Sequence, residues 1–335
     1  MEQTTVIIVG AGPAGSTCGI LLRQKGIDCI LLDRATFPRD KICGGGLTPR
    51  SYKLLERLLP QFKYDYNSVH QLKICVEGKP VLDFMMEKEI RIVQRKEFDA
   101  KLLEEYKKSG GTFINEAMTG FEEKDGQIII TLKSGRQLTC SYLVGADGAN
   151  SRVRKQLNPK ATHGLLFMEQ YTAKSAENAI VGNLSKHYKK GYYYSFPNNT
   201  YDVQGFGDAE TTPESYRRVL NQMGCPEQKS FGAYIPNEID YPLHDHIILI
   251  GDAGGFPNRL TFEGIYYAFL TASNAVEAIS TGKSFALVNK RVFDNKKKEE
   301  RIANIIYNNA CLKTLSFICK TFPGILIRIF NKAIG

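Results

Sequence analysis

Val6-Ile7-Ile8-Val9-Gly10-Ala11-Gly12-Pro13-Ala14-Gly15, a helical run to Gly26, and then Cys29-Ile30-Leu31-Leu32-Asp33-Arg34 form the stretch that decides the fold. An apolar run of strand length passes directly into Gly-x-Gly-x-x-Gly, and a second apolar run stops on an acidic residue. This is the pattern of a βαβ unit that binds a dinucleotide. Gly10 allows the sharp strand-to-helix turn, Gly12 lets backbone N–H groups approach a pyrophosphate, and Gly15 lets the helix lie close on the strand. The helix N-terminus adds partial positive charge for the phosphates. Asp33, about twenty residues on, stands where a carboxylate hydrogen-bonds a ribose hydroxyl.

The 335 residues can bury a large core or divide into two modest domains. No run reaches the roughly eighteen apolar residues of a spanning helix. The first strand begins within five residues of the N-terminus, leaving no room for a signal peptide, so a cytoplasmic location is expected. The eight cysteines are scattered without a C-x-x-C pair, which fits a reduced compartment. Cys18, Cys29, Cys75 and Cys140 read as small buried hydrophobes. The net charge of +9 is uneven: from Lys296 to Gly335 there are eight Lys/Arg against Glu299 and Glu300. Apolar residues interleaved with Lys313, Lys320, Arg328 and Lys332 favour a peripheral membrane contact over nucleic acid. Pro323-Gly324 is expected to divide this tail into two helices, and the alternative is that they cap the domain with a solvated basic face.

Along the chain the expected organisation is a nucleotide domain in three parts, 1–68, 95–164 and 241–284. Substrate-domain strands at 69–94 and a mainly antiparallel sheet at 165–240 interleave with it, and a basic helical tail covers 285–335. Lys41-Ile42-Cys43-Gly44-Gly45-Gly46-Leu47 cannot be a helix or strand interior and suits a loop pressed against a flat ligand with Cys43 beside it. Gly78-Lys79-Pro80 reads as the turn between two strands. Tyr192-Tyr193-Tyr194-Ser195-Phe196-Pro197 is a strand with a packed aromatic face or a pocket wall. Ile247–Ile250 and Gly251-Asp252-Ala253 repeat the strand-to-turn pattern, and Gly264-Ile265 opens a long helix. His244-Asp245-His246 lacks a third regularly spaced ligand, so no metal is expected.

Gly10-x-Gly12-x-x-Gly15 with Asp33, then Gly145-Ala146-Asp147-Gly148-Ala149-Asn150-Ser151-Arg152, then Gly251-Asp252-Ala253 occur in that order. In this the chain resembles FAD enzymes of the glutathione-reductase type with the para-hydroxybenzoate hydroxylase fold. The implied fold class is α/β, a Rossmann-like FAD-binding domain with an interleaved β-sheet substrate domain and C-terminal helices. Within that group it is most similar to the geranylgeranyl reductase family, through the Cys43-Gly44-Gly45-Gly46-Leu47 segment, Tyr192-x-Tyr194-x-Phe196-Pro197 closed by Gly205-Phe206-Gly207, and Gly264-Ile265-Tyr266-Tyr267-Ala268.

The resemblance implies FAD held by Gly10, Gly12, Pro13, Ala14, Gly15, Asp33 and Arg34. Cys43, Gly44, Gly45, Arg95, Asp147, Gly148, Gly251, Asp252, Gly264 and Ile265 complete the implied cofactor set. It implies reduction of C=C bonds in isoprenoid chains, with Cys43, Tyr192 and Tyr194 at the reacting centre. The electron donor would be NAD(P)H, ferredoxin or flavodoxin. Cys43 is the candidate acid or positioning group, because a thiol is mostly protonated at neutral pH. Ile42 stands where the family usually has proline, and Arg259, Phe262 and Glu263 occupy a loop where it commonly has Pro and glycines. These departures leave the substrate open. An aromatic hydroxylase on the same fold and an electron carrier to a quinone or protein are the competing readings.

Overall fold

A computed structural model describes residues 2–306, 321 and 323–334. The chain begins with β1 (Glu2–Val9), α1 (Pro13–Gln24), β2 (Cys29–Leu32), β3 (Gly46–Leu47), α2 (Pro49–Leu58), β4 (Asn67–Val76) and β5 (Lys79–Ile92). It continues through α3 (Arg95–Lys108), β6 (Thr112–Ile114), β7 (Met118–Lys124), β8 (Gln127–Leu132), β9 (Gln137–Gly145) and α4 (Arg152–Leu157). The strands β10 (Leu165–Ala173), β11 (Ala179–Leu184), β12 (Tyr192–Pro197) and β13 (Tyr201–Asp208) precede α5 (Pro213–Gln222) and β14 (Ser230–Ile235). Last come β15 (Ile247–Leu249), a 3-10 turn at Gly251–Gly254, α6 (Ile265–Thr281), α7 (Phe285–Val288), α8 (Lys290–Ile306) and α9 (Pro323–Ile334).

Val6 to Val9 are all buried because β1 has a core on each face. Val6 and Ile8 join the helical core of α1, α3 and α6, while Ile7 and Val9 join a second core under β7–β9. Such two-sided burial produces a continuous apolar run rather than alternation. The first sheet runs β6-β2-β1-β9-β8-β7, parallel from β6 to β9 and antiparallel from β9 to β7. The far edge of β9 is shared. Its first half pairs with β8 and its last three residues pair in parallel with β15.

The second sheet runs β14-β10-β13-β12-β11-β4-β5-β3 and is antiparallel except for β11 beside β4. The strands read near 69–92 and those read within 165–240 are therefore one sheet. Its turn differs from expectation: Glu77 and Gly78 take positive φ of 53° and 75°, and Lys79-Pro80 already belong to β5. Pro80 lies opposite Cys75 at a register shift, where a missing N–H is tolerated.

The basic tail is partly built into the protein. Val292 and Lys296 on α8 are buried, and Phe293 packs 5.8 Å from Phe256. On α9, Leu326, Ile327, Phe330 and Ile334 pack on the core of β4 and β5, with Phe330 edge-on to Phe84 at 5.8 Å. Pro323 opens α9, a position where its missing N–H is harmless. Lys313 and Lys320 lie outside the described residues. Among the described residues no helix is long and apolar enough to cross a membrane.

Tyr106 fastens α3 to the first sheet. It is fully buried, and its hydroxyl lies 2.8 Å from the Cys29 carbonyl and 3.1 Å from that of Thr112. Tyr106→Phe removes the only proton available to these two oxygens from that side chain. Urea unfolding should show a loss of about 1–2 kcal/mol, with the native circular-dichroism spectrum retained.

Candidate active site

The sequence motifs meet at the C-terminal ends of the parallel strands. Gly10 has φ of 107°, and a Cβ placed on it would stand 2.3 Å from the Ala146 carbonyl oxygen. A Cβ on Gly15 would come within 1.8 Å of the Gly10 oxygen, so the helix lies directly on the turn. A Cβ on Gly251 would touch that of Ala14 at 3.0 Å, which brings the third motif against α1. Arg154, fully buried, joins the second motif to the third. It donates to the carbonyls of Asp252 at 3.0 Å, Ala253 at 3.1 Å and Ala149 at 2.6 Å.

Helices α1 and α6 both begin at a glycine N-cap, Gly12 and Gly264, with no side-chain cap and no acidic residue in the first turn. Their N–H groups are left for an anionic or carbonyl-bearing partner. Ile265 is buried at the start of α6, and Asp252 Oδ1 would lie 3.1 Å from a Cβ on Gly264. Asp33 accepts from the Ala11 N–H at 2.7 Å and the Ala35 N–H at 2.8 Å, which orients its carboxylate at the glycine turn. Arg34 beside it is exposed.

Asp147 is turned toward α4. Its Oδ2 accepts from the Arg152 N–H at 2.7 Å, while Oδ1 is buried without a partner among the described residues. Burial raises its pKa against those hydrogen bonds. Gly148 follows with φ of 77°.

Beside the glycine turn lies a buried charge cluster. Arg95 donates to Asp99 through Nε and Nη2, both at 2.8 Å, and Arg39 Nη2 reaches Asp99 at 3.3 Å. Arg39 Nη2 is also 3.5 Å from where a Gly12 Cβ would be, so a guanidinium borders the pyrophosphate turn. Burial works against the charge on Arg95, but Asp99 and the neighbouring Cys43 sulfur outweigh it and hold its proton more tightly than usual.

Cys43 is half-buried, with the Gly45 N–H donating to Sγ at 3.4 Å. Protein contacts already require two of the loop's three glycines. A Cβ on Gly44 would meet the Phe196 ring at 2.3 Å, and one on Gly45, at φ of 75°, the Val93 oxygen at 2.1 Å. The expected flat ligand is therefore not needed to explain Gly44 and Gly45. What the loop does is press Cys43 toward the aromatic strand.

Tyr192, Tyr194 and Phe196 alternate onto one face of β12, with successive ring centroids 6.0 and 5.2 Å apart. The loop before α6 closes on this face. Phe262, a non-glycine residue at φ of 52°, stacks edge-on to Phe167 at 4.8 Å, and the Tyr192 hydroxyl donates to the Thr261 carbonyl at 2.6 Å. Arg50 donates to Glu263 at 2.9 Å and lies 4.5 Å over the Tyr266 ring. Arg259 turns away toward Glu238 and Glu300, each at 3.5 Å.

Sequence reading did not find Arg39, Arg50, Arg154 or Glu169. Glu169 is buried on β10 and accepts from the Tyr194 hydroxyl. Its signal was an acid inside Phe167-Met168-Glu169-Gln170, an otherwise strand-like run.

The arrangement fits FAD. Two glycine-capped helix ends, Asp33 at the first turn and Asp252 at the last supply donors and acceptors for phosphates and hydroxyls. Comparison with known proteins points the same way. A family model described as FAD binding domain matches residues 3–200. An uncharacterized protein of Methanosarcina barkeri is 30% identical, over 99% of this chain and 87% of its own. A menaquinone reductase of Mycobacterium tuberculosis is 27% identical, over 84% of this chain and 77% of its own. The chloroplastic geranylgeranyl diphosphate reductase of Arabidopsis thaliana is 26% identical, over 84% and 66%.

Among solved structures, a geranylgeranyl bacteriochlorophyll reductase-like protein of Thermoplasma acidophilum aligns with TM-score 0.77 and 18% identity, over 96% of this chain and 92% of its own. The halogenase PltM aligns with TM-score 0.75 and 17% identity, over 91% and 76%. At these identities the structural matches establish the shared fold.

If Asp252 holds a cofactor hydroxyl, Asp252→Ala should weaken FAD binding about ten- to a hundredfold in a fluorescence titration, the scale of one lost charged hydrogen bond. The circular-dichroism spectrum should not change.

Proposed function

The chain belongs to the FAD binding domain family and is an FAD-dependent oxidoreductase, and from that premise we propose that it reduces C=C bonds in an isoprenoid or similarly apolar chain. The observation that carries the proposal is the seating of Gly44 on Phe196, which sets Cys43 against the face of Tyr192, Tyr194 and Phe196. Relatives named menaquinone reductase and geranylgeranyl diphosphate reductase support it.

In this reading Gly12, Pro13, Ala14 and the α1 N-terminus bind the pyrophosphate with Arg39. Asp33 binds the ribose, Asp252 the ribityl hydroxyls, and the Gly264–Ile265 helix start the pyrimidine end. Bound and reduced FAD supplies hydride chemistry. The protein's part is to align and to dry. The aromatic face receives the apolar chain, and Phe262, fixed by the Arg50–Glu263 pair, covers it from water. Arg95 and the Gly45 N–H hold the Cys43 sulfur in place. The electron donor in this proposal is NAD(P)H or a small redox protein such as ferredoxin or flavodoxin.

Anaerobic dithionite-reduced holoenzyme, given geranylgeranyl diphosphate, should return to oxidised flavin with a product heavier by two hydrogens per bond reduced. Cys43→Ala should slow that step at least about tenfold. Full turnover by the variant would remove Cys43 from the centre. Oxygen consumption coupled to a hydroxylated product would favour a hydroxylase instead, and transfer to quinone without alkene reduction an electron carrier.

Peripheral membrane contact is part of the same proposal. Ile302 and Ile305 are exposed on α8 beside exposed Arg301. The full chain should float with anionic liposomes and release at high salt, whereas recovery only in the soluble fraction would remove this contact.

A further inference from the structure

Glu169 of β10 is in register with Gly205 of β13, and Gly205 with Tyr194 of β12. An acid, a glycine and a phenol thus stand in a row across the sheet. The glycine is what joins the other two. A Cβ at Gly205 would lie 2.3 Å from Tyr194 Cζ and 2.4 Å from its hydroxyl, so the phenol lies over the bare backbone and reaches Glu169 Oε1. Glu169 is 2% exposed, and its Oε2 is buried with no hydrogen-bond partner among the described residues. A carboxylate anion left in that state is costly, whereas a protonated acid is not.

Burial pushes the Glu169 carboxyl up to about 7, against the opposing pull of the Tyr194 hydroxyl, Lys41, the Cys43 backbone and Arg95. The other titratable groups coupled to it are Tyr171 and Tyr201 on the sheet and, from across the sheet, Tyr216 on α5, each raised chiefly by burial. The pair lies on the same face that the Cys43 loop meets through Phe196.

We propose, on the basis of the alkene-reduction reading above, that Glu169 is the proton reservoir of the reaction and acts through Tyr194. Bound, reduced FAD would be the source of the hydride, and with it of both electrons, that one alkene carbon gains. As the C–H bond forms at the other carbon, the Tyr194 O–H bond breaks. The Glu169 O–H bond breaks in turn to restore the phenol, and the carboxylate regains a proton from solvent before the next turnover. Tyr194 is the catalytic residue, Glu169 acts behind it, and Cys43 is left the task of positioning.

The test uses the FAD-loaded full chain as wild type, Glu169→Gln and Tyr194→Phe, with geranylgeranyl diphosphate as probe and flavin reoxidation as signal. Wild-type reoxidation should be fast at low pH and fall as pH rises through about 7. Both variants should be about 100-fold slower at pH 6 and flat with pH, the lower end of what a lost general acid costs. A second readout needs no turnover. The folded carboxyl titrates above its ordinary 4.5, so folding favours the protonated form, and wild-type stability declines from about that pH through about 7. The Tm of Glu169→Gln minus that of wild type should therefore grow between pH 5 and pH 8. Unchanged reoxidation and pH profile in Glu169→Gln, or a Tm difference that stays constant with pH, overturns the relay and leaves alkene reduction standing. Wild-type enzyme that never reoxidises with the probe overturns both.

Discussion

The parallel ladder between β1 and β9 does not stop where the strands end. The Ala146 N–H donates to the Val9 carbonyl at 2.7 Å, and the Gly10 N–H donates to that of Leu32 at the same distance. Continuing the ladder past the last strand residue drives the Gly10 turn under Ala146, where no side chain fits. Everything at the site depends on this crossing. It fixes where α1 starts, where Asp147 and α4 begin, and, through β15 on the free half of β9, where Gly251 and Asp252 arrive. A doubly wound sheet offers a crevice at its strand ends, and here the segments that fill it come from the beginning, middle and end of the chain.

The second sheet is held to that crevice by contacts of two kinds. One is steric: Gly44 under Phe196 lets the Cys43 loop approach the aromatic strand more closely than any side chain would allow. The other is polar: Arg50 binds Glu263, Lys296 donates to the Pro257 carbonyl, and Glu299 accepts from the Tyr267 hydroxyl at 2.6 Å, so α2, the loop before α6 and α8 lock together beside the aromatic face. The Arg50–Glu263 pair is partly buried, where water screens less but each ion also loses hydration, so its value lies more in fixing the loop than in stability. Lys296 illustrates the cost, its pKa lowered by burial although Glu299 opposes the shift.

What the sequence disclosed was local. The βαβ unit could be read because the strand run, the glycines and Asp33 sit within about thirty residues, although the neighbour that demands Gly10, Ala146, lies far along the chain. The order of the three glycine-and-aspartate motifs was likewise legible as a resemblance. What could not be read was set by distant partners. Gly44 looks like any flexible-loop glycine until Phe196, far along the chain, lies on it. Glu169 sits in a strand whose pattern says only that it is buried, and its chemistry appears when Gly205 and Tyr194 come into register. Arg39, in an irregular loop, shows its purpose only beside Asp99 and the Gly12 turn. The turn lies at Glu77–Gly78 rather than at the expected Gly78-Lys79-Pro80, because Pro80 enters the strand at a register shift instead of forming the turn.

Bound flavin is the most direct measure of whether the three glycine-and-aspartate turns form one cofactor site. The full chain should purify yellow, or become yellow on adding FAD, and hold the cofactor stoichiometrically after desalting. A well-folded, colourless chain that takes up no FAD would contradict that convergence.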